Sequence, residues 1–173
     1  MEYLQPYLNI NGFLPSAVLT FLMYVALHRF RSSMVSLAFV TLPGTIAHEA
    51  AHYVVGFLLL GKPQGFNVLP KRQGNSLILG SVSFTGINML NGAFVAMAPL
   101  LLLPLAWLSM IHFAIPFWTK GVIPFWILSV FLTANLLFAA IPSSQDFKVG
   151  APSLMLYGSM CGGWLLASFV WHG

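Results

Sequence analysis

His48, Glu49 and His52 stand inside a long apolar run, "PGTIAHEAAHYVVGFLLLG", residues 43–61. On an α-helix, residues four apart are related by about 400° of rotation, so both imidazoles project from one face, one turn apart. That geometry suits two ligands on one Zn2+, with Glu49 beside them to act as general base on a zinc-bound water. Zinc lowers the pKa of such a water to about 7, which makes a hydroxide nucleophile available near neutral pH. A structural role explains the cluster poorly, because a charge deep in a membrane span costs at least about 2.5–3.5 kcal/mol on insertion scales.

The elements that must hold these residues are apolar. The chain has 173 residues, 58% hydrophobic and 6% charged, whereas a soluble domain carries about 25% charged residues. The expected fold class is an all-α polytopic membrane protein, one transmembrane domain over residues 1–173. About five transmembrane helices are expected, near residues 12–27, 34–60, 90–111, 122–141 and 152–171. This length leaves no room for a separate soluble domain of ordinary size. The connection 61–89 is the most polar part of the chain. There "FNVLP" and "SLILGSVSF" have partial strand character and are split by "KRQGN", a turn signal, which predicts a short β-hairpin-like loop after the second span. Its edges would be unsatisfied in hydrocarbon, so it belongs at the interface or against protein. An open edge there could accept another extended strand.

The net charge of +4 comes from seven basic residues at the ends of apolar runs or between them. That pattern is membrane flanking and argues against a nucleic-acid surface. Cys161 is the one cysteine, which excludes an intramolecular disulfide. The N-terminus lacks a basic stretch and a clear cleavage site, so the first span is expected to be retained.

A catalytic zinc site needs a third protein ligand and one open position. The candidates are Asp146, His28, His112 and His172. If the spans alternate in direction, the second and fourth run the same way. Asp146, just past the fourth, then shares the metal's side, and His28, His112 and His172 belong at the far face as interfacial histidines. The competing reading of Asp146 is a loop aspartate or helix cap in a serine-rich turn. Asn135, inside the fourth span, either bonds a neighbouring helix or binds a substrate carbonyl and steadies a tetrahedral intermediate. Asn88 and Asn91 are weaker candidates. The small-residue spacing of Gly158, Gly162 and Gly163 predicts close helix packing first, and a homo-oligomer contact through Gly158 and Gly162 second. Trp107, Trp118 and Trp126 need no cofactor to account for them.

HEAAH inside a span, a polar hairpin-like loop after it, and a downstream Asn/Pro/Asp element together resemble the site-2 protease family of intramembrane zinc metalloproteases. The resemblance covers roughly residues 34–146. The family's second motif usually has Asn, a nearby Pro, then Asp followed by Gly. Here "NLLFAAIPSSQDF" places Asn135, Pro142 and Asp146 in that order, with Phe147 in the glycine's place. In the third span "NGAFVAMAPLLL" loosely resembles the family's Gly-Pro element. The resemblance implies one Zn2+ per chain on His48, His52 and Asp146, and Glu49 as catalytic base. It also implies a site reached from the cytoplasmic side and cleavage of membrane-spanning protein substrates. A cytoplasmic 61–89 loop agrees with a narrow charge count of Lys62, Lys71, Arg72 and Lys148 against Arg29, Arg31 and Lys120.

The expected function is therefore an intramembrane zinc metalloendopeptidase, an integral multi-pass enzyme that engages the bilayer, a transmembrane substrate and no nucleic acid. The alternatives are a non-catalytic membrane zinc-binding protein and a metal or ion transporter. A structural site would be closed by four ligands, and the sequence offers three convergent ones. A transporter would place polar residues across several spans, and the first and fifth hold few.

Overall fold

The computed structural model describes residues 10–29, 38–68, 71–73, 76–78 and 80–172. The chain is mostly helical, in two tiers. The lower tier is a three-helix bundle. Helix α1 (Ile10–Arg29) packs beside an apolar rod spanning Ala98–Thr119 and beside α6 (Ile123–Ala139). The rod is not uniform. It opens with a 3-10 turn at Ala98–Leu101, continues as α4 (Leu102–Ser109), loosens into a π-turn at Met110–Ala114 and closes with α5 (Ile115–Thr119). Pro99 and Pro116 mark the starts of the 3-10 turn and of α5, where a missing backbone N–H costs least. The expected span end near 111 therefore falls inside the rod, and His112 sits in the π-turn and not at a helix terminus.

The bundle is knit by small and branched residues. Ala114, Ile115, Val130 and Met110 form one buried cluster, with Ala17, Met23 and Trp126 against it. Gly12 admits the α5 backbone, since a Cβ there would stand 3.0 Å from Ile115 Cγ2. Large apolar side chains such as Phe21, Trp107 and Phe125 face outward, each more than half exposed. Apolar surface of that extent is the mark of a lipid-facing bundle.

The upper tier begins at the top of α6. Helix α2 (Leu42–Leu58) carries HEAAH. It follows a helical stretch at 38–40 and a turn at Thr41, so the expected span at 34–60 is interrupted, and residues 34–37 lie outside the described set. The backbone leaves α2 through Leu60 and Lys62, both at positive φ, with Gly61 N donating to Gly56 O at 2.7 Å. That closure turns the chain back along α2. The expected hairpin follows. β1 (Pro63–Asn67) pairs antiparallel with β4 (Ser81–Phe84), and β2 (Lys71–Gln73) with β3 (Ser76–Ile78). Part of "KRQGN", read as a turn, is thus strand β2. A short α3 (Gly92–Ala96) leads into the rod.

Helix α7 (Ser144–His172) starts eight residues before the expected fifth span and is bent by 51° from α6. Its first half packs on α3, with Ser153 Oγ donating to Asn88 O and Tyr157 Oη donating to Leu90 O. In its second half a Cβ added at Gly158, Gly162 or Gly163 would meet nothing within 4 Å. Among the described residues, the expected close packing of these glycines against another helix is therefore not found.

Among the described residues, two helices, Ile10–Arg29 and Ala98–Thr119, are long and apolar enough to cross a membrane, or three spans if the bent α6–α7 pair is one. The expectation of about five is not confirmed: as described, α2 and α6 have 17 residues each, about 26 Å at 1.5 Å per residue against a hydrocarbon core of about 30 Å.

Helix direction also departs from expectation. Trp126 near the start of α6 bonds Ser16 near the start of α1. At the other ends, Phe138 meets His28 edge-on with ring centroids 4.9 Å apart. Helices α1 and α6 are parallel. His28, placed at the far face by strict alternation, belongs to the same end of the bundle as the HEAAH site. Alternation failed because α2 starts beside the last turns of α6, where Gly44 meets Asn135 and Ala139, and not at the opposite end.

Candidate metal centre

Three donor groups separated by up to 98 positions converge where the tiers meet. His52 Nε2 lies 3.2 Å from His48 Nε2. It is 3.1 Å from Asp146 Oδ1, and His48 Nε2 is 3.5 Å from Asp146 Oδ2. The three residues form one group with the spacing to hold a metal ion. Two ligands on a tetrahedral Zn2+ at about 2.0–2.1 Å would stand about 3.3 Å apart, which the imidazole separation matches.

The tautomers follow from the partners. His48 Nδ1–H donates to Ala139 O at 2.7 Å, at the end of α6. His52 Nδ1–H donates to Val95 O at 2.8 Å, in α3. A carbonyl oxygen only accepts, so each Nδ1 carries the proton and each Nε2 presents a lone pair in the neutral ring. Backbone carbonyls thus play the orienting part that such partners play behind metal-bound histidines. The result is two imidazole lone pairs and a carboxylate aimed at one point. With both rings neutral that arrangement is repulsive, and it is satisfied by a cation between the three groups or by a proton that an imidazole Nε2 donates to the Asp146 carboxylate. The donor set fits a divalent metal, with nitrogen and oxygen ligands of the kind zinc accepts.

Asp146 resolves two readings into one. Its Oδ2 accepts from Ser143 N at 2.6 Å, and its N donates to Ser143 Oγ at 3.2 Å. This reciprocal pair is a capping box at the start of α7. Asp146 is a helix cap and a member of the three-residue group at once, and the cap fixes the carboxylate's direction.

Glu49 is 7% exposed, and His52 is buried with it. Asp146 and His48 are less covered, at 14% and 15% of their side chains, so the group opens to its surroundings on their side. Gly80, just ahead of β4, covers Glu49, and a Cβ there would lie 2.6 Å from Glu49 Cγ.

Asn135 lies one turn from Ala139, buried to 1%. Its Nδ2 donates to Phe131 O, and its Oδ1 is a buried side-chain atom without a hydrogen-bond partner among the described residues. It faces α2 at Gly44, where a Cβ would stand 3.2 Å from that oxygen. No described hydrogen bond joins it to the three-residue group. Asn91 is structural: its Nδ2 donates to Leu59 O and Gly86 O, tying the end of α2 to the chain after β4. Sequence reasoning missed Ala139, Val95, Ser143, Gly44 and Gly80. Only Ser143, three before an acid and next to a helix start, carried a readable signal.

No protein family model, curated protein or solved structure matches this chain. The functional reading stands on the geometry.

Proposed function

We propose that this protein is a membrane-embedded zinc metalloendopeptidase acting on transmembrane substrates. One observation carries the reading. The Nε2 atoms of His48 and His52 meet the Asp146 carboxylate at 3.1–3.5 Å, with a buried glutamate next in sequence to one histidine. His48, His52 and Asp146 would hold the ion, leaving room for a fourth position. A bound Zn2+ supplies Lewis-acid polarisation of a carbonyl and an acidified water. Glu49 accepts a proton from the attacking water and returns it to the departing amine. The burial of Glu49 keeps competing bulk water away from that exchange. The side of the group formed by His48 and Asp146 is the approach for substrate.

The hairpin is suited to hold an extended segment. Taking 100° per residue around α2, the histidines lie about 60° and 100° to one side of Glu49, whereas Tyr53 lies about 40° to the other. β1 touches α2 at Tyr53 through Phe66, and the β4 segment touches it at Glu49 and Gly56. The outer edge of β4 is therefore the nearer one to the histidines, and among the described strands nothing pairs with it. A substrate helix must unwind before its amides can react, and strand addition at this edge supplies partners for the freed backbone groups. The test is a zinc count on purified protein, with a single-turnover assay on a membrane-spanning peptide. A native chain holding one zinc and cutting the peptide supports the reading, and zinc without cleavage by chain and peptide in bilayers refutes it.

A further inference from the structure

β4 is docked on α2 at both ends, and each dock needs a glycine. At the far end a Cβ on Gly56 would overlap the Phe84 ring. At the near end the roles reverse. Gly80 is on the hairpin side, and a Cβ there would stand 2.6 Å from Glu49 Cγ, 2.7 Å from Oε1 and 3.0 Å from Cδ. Real Cβ atoms do not approach other atoms so closely, so with a side chain at position 80 something must shift, and the atoms in the way are those of the glutamate side chain. Glu49 is 7% exposed. The displacement would move the carboxylate away from its place beside His48 and His52.

We propose that Gly80 is a positioning residue: its bare Cα is the wall that sets where the Glu49 carboxylate rests, and the Phe84–Gly56 dock holds that wall in place. The proposal rests on the reading of Glu49 as the group that exchanges protons beside a bound metal. It concerns the carboxylate and not metal retention, because Gly80 touches none of the three ligand side chains in the contacts described.

The two effects separate in a double-mutant cycle. The probe is acetohydroxamate titrated into the full-length, cobalt(II)-loaded protein and followed by the metal's visible absorption. A hydroxamate chelates the metal through its two oxygens and is tightened by a hydrogen bond to a carboxylate beside it. Glu49→Gln should weaken acetohydroxamate about tenfold, the worth of one charge-assisted hydrogen bond. Gly80→Ala should weaken it by a similar factor with the cobalt content unchanged, and the double variant should bind no worse than the weaker single. Independent, multiplying effects overturn the proposal, as does Gly80→Ala that binds like the native chain or loses cobalt. If Gly80→Ala does not fold, Phe84→Ala takes its place in the cycle, since it loosens the far dock without adding an atom near Glu49. Cleavage of a membrane-spanning peptide by the same preparations is read separately. Coupled hydroxamate binding without cleavage by the native chain removes the protease reading and leaves the role of Gly80 standing. A native chain that holds no cobalt removes both.

Discussion

The three-helix bundle and the HEAAH site both bury polar side chains and use them in different ways. In the bundle the buried hydroxyls of Ser16, Thr20, Ser129 and Thr133 meet acceptors, each donating to a carbonyl four residues earlier. Trp126 Nε1 donates to Ser16 Oγ at 2.9 Å, and Ser109 and Thr133 share a hydrogen bond of 2.9 Å. Such pairs hold apolar helices together where no hydrophobic force between them exists. At the site the outward-facing nitrogens are satisfied in the same way, by Ala139 O and Val95 O. With both rings neutral, the inward-facing atoms, His48 Nε2, His52 Nε2 and the Asp146 carboxylate, are acceptors that face one another. Buried acceptors without a donor cost free energy in an apolar setting. Complementary polarity is packing, and donor atoms that converge in this way form a group that could hold a metal ion.

That contrast can be broken or sharpened by experiment. The largest effect is expected at the ligands. His48→Ala or Asp146→Ala should reduce metal from one per chain to a small fraction, and activity with it, as measured by elemental analysis of purified protein. Retained stoichiometry would mean the site is not what its geometry indicates. Glu49→Gln should keep the metal and lower cleavage by about 10²–10⁴-fold, the usual contribution of a general acid–base group, and a single-turnover assay reads this directly. Gly44→Ala lies between the two regions. Its Cβ would stand 2.7 Å from Asn135 O, and overpacking of this kind costs about 1–3 kcal/mol, read as a lower thermal midpoint in detergent. The smallest effect is expected in the bundle. Ser16→Ala removes the acceptor for Trp126 and should cost about 0.6–1.7 kcal/mol, with metal content unchanged. A metal loss on Ser16→Ala would show that the two regions are coupled.

HEAAH was legible because helical periodicity alone sets two histidines and a glutamate on adjoining faces. The hairpin was legible from its strand-forming residues and turn signals. Asp146 was legible as the third member of the group, although the premise of strict alternation was wrong for α1 and put His28 at the wrong end. Direction-counting assumes that every apolar run crosses the bilayer, and α2 begins beside the end of α6. The expected number of about five spans is not confirmed, for a related reason: hydropathy registers apolar residues and does not register where a helix bends, loosens into a π-turn or stops short. Asn135 was legible as a buried polar residue, and its orphaned oxygen could be seen only after α2 was packed against it.

By composition and periodicity the sequence determined that the chain is apolar and helical, and that two imidazoles share one helix face with a carboxylate beside them. These properties repeat along a single helix and need no other part of the molecule. The tertiary structure decided which lone pairs point inward, because the carbonyls that orient the histidines belong to residues 43 and 91 positions away. It also decided that a capping aspartate faces the histidines, and that a glycine before β4 covers Glu49. Each of these is a contact between residues remote in sequence, set by how helices of unequal length stack, and no local pattern encodes it.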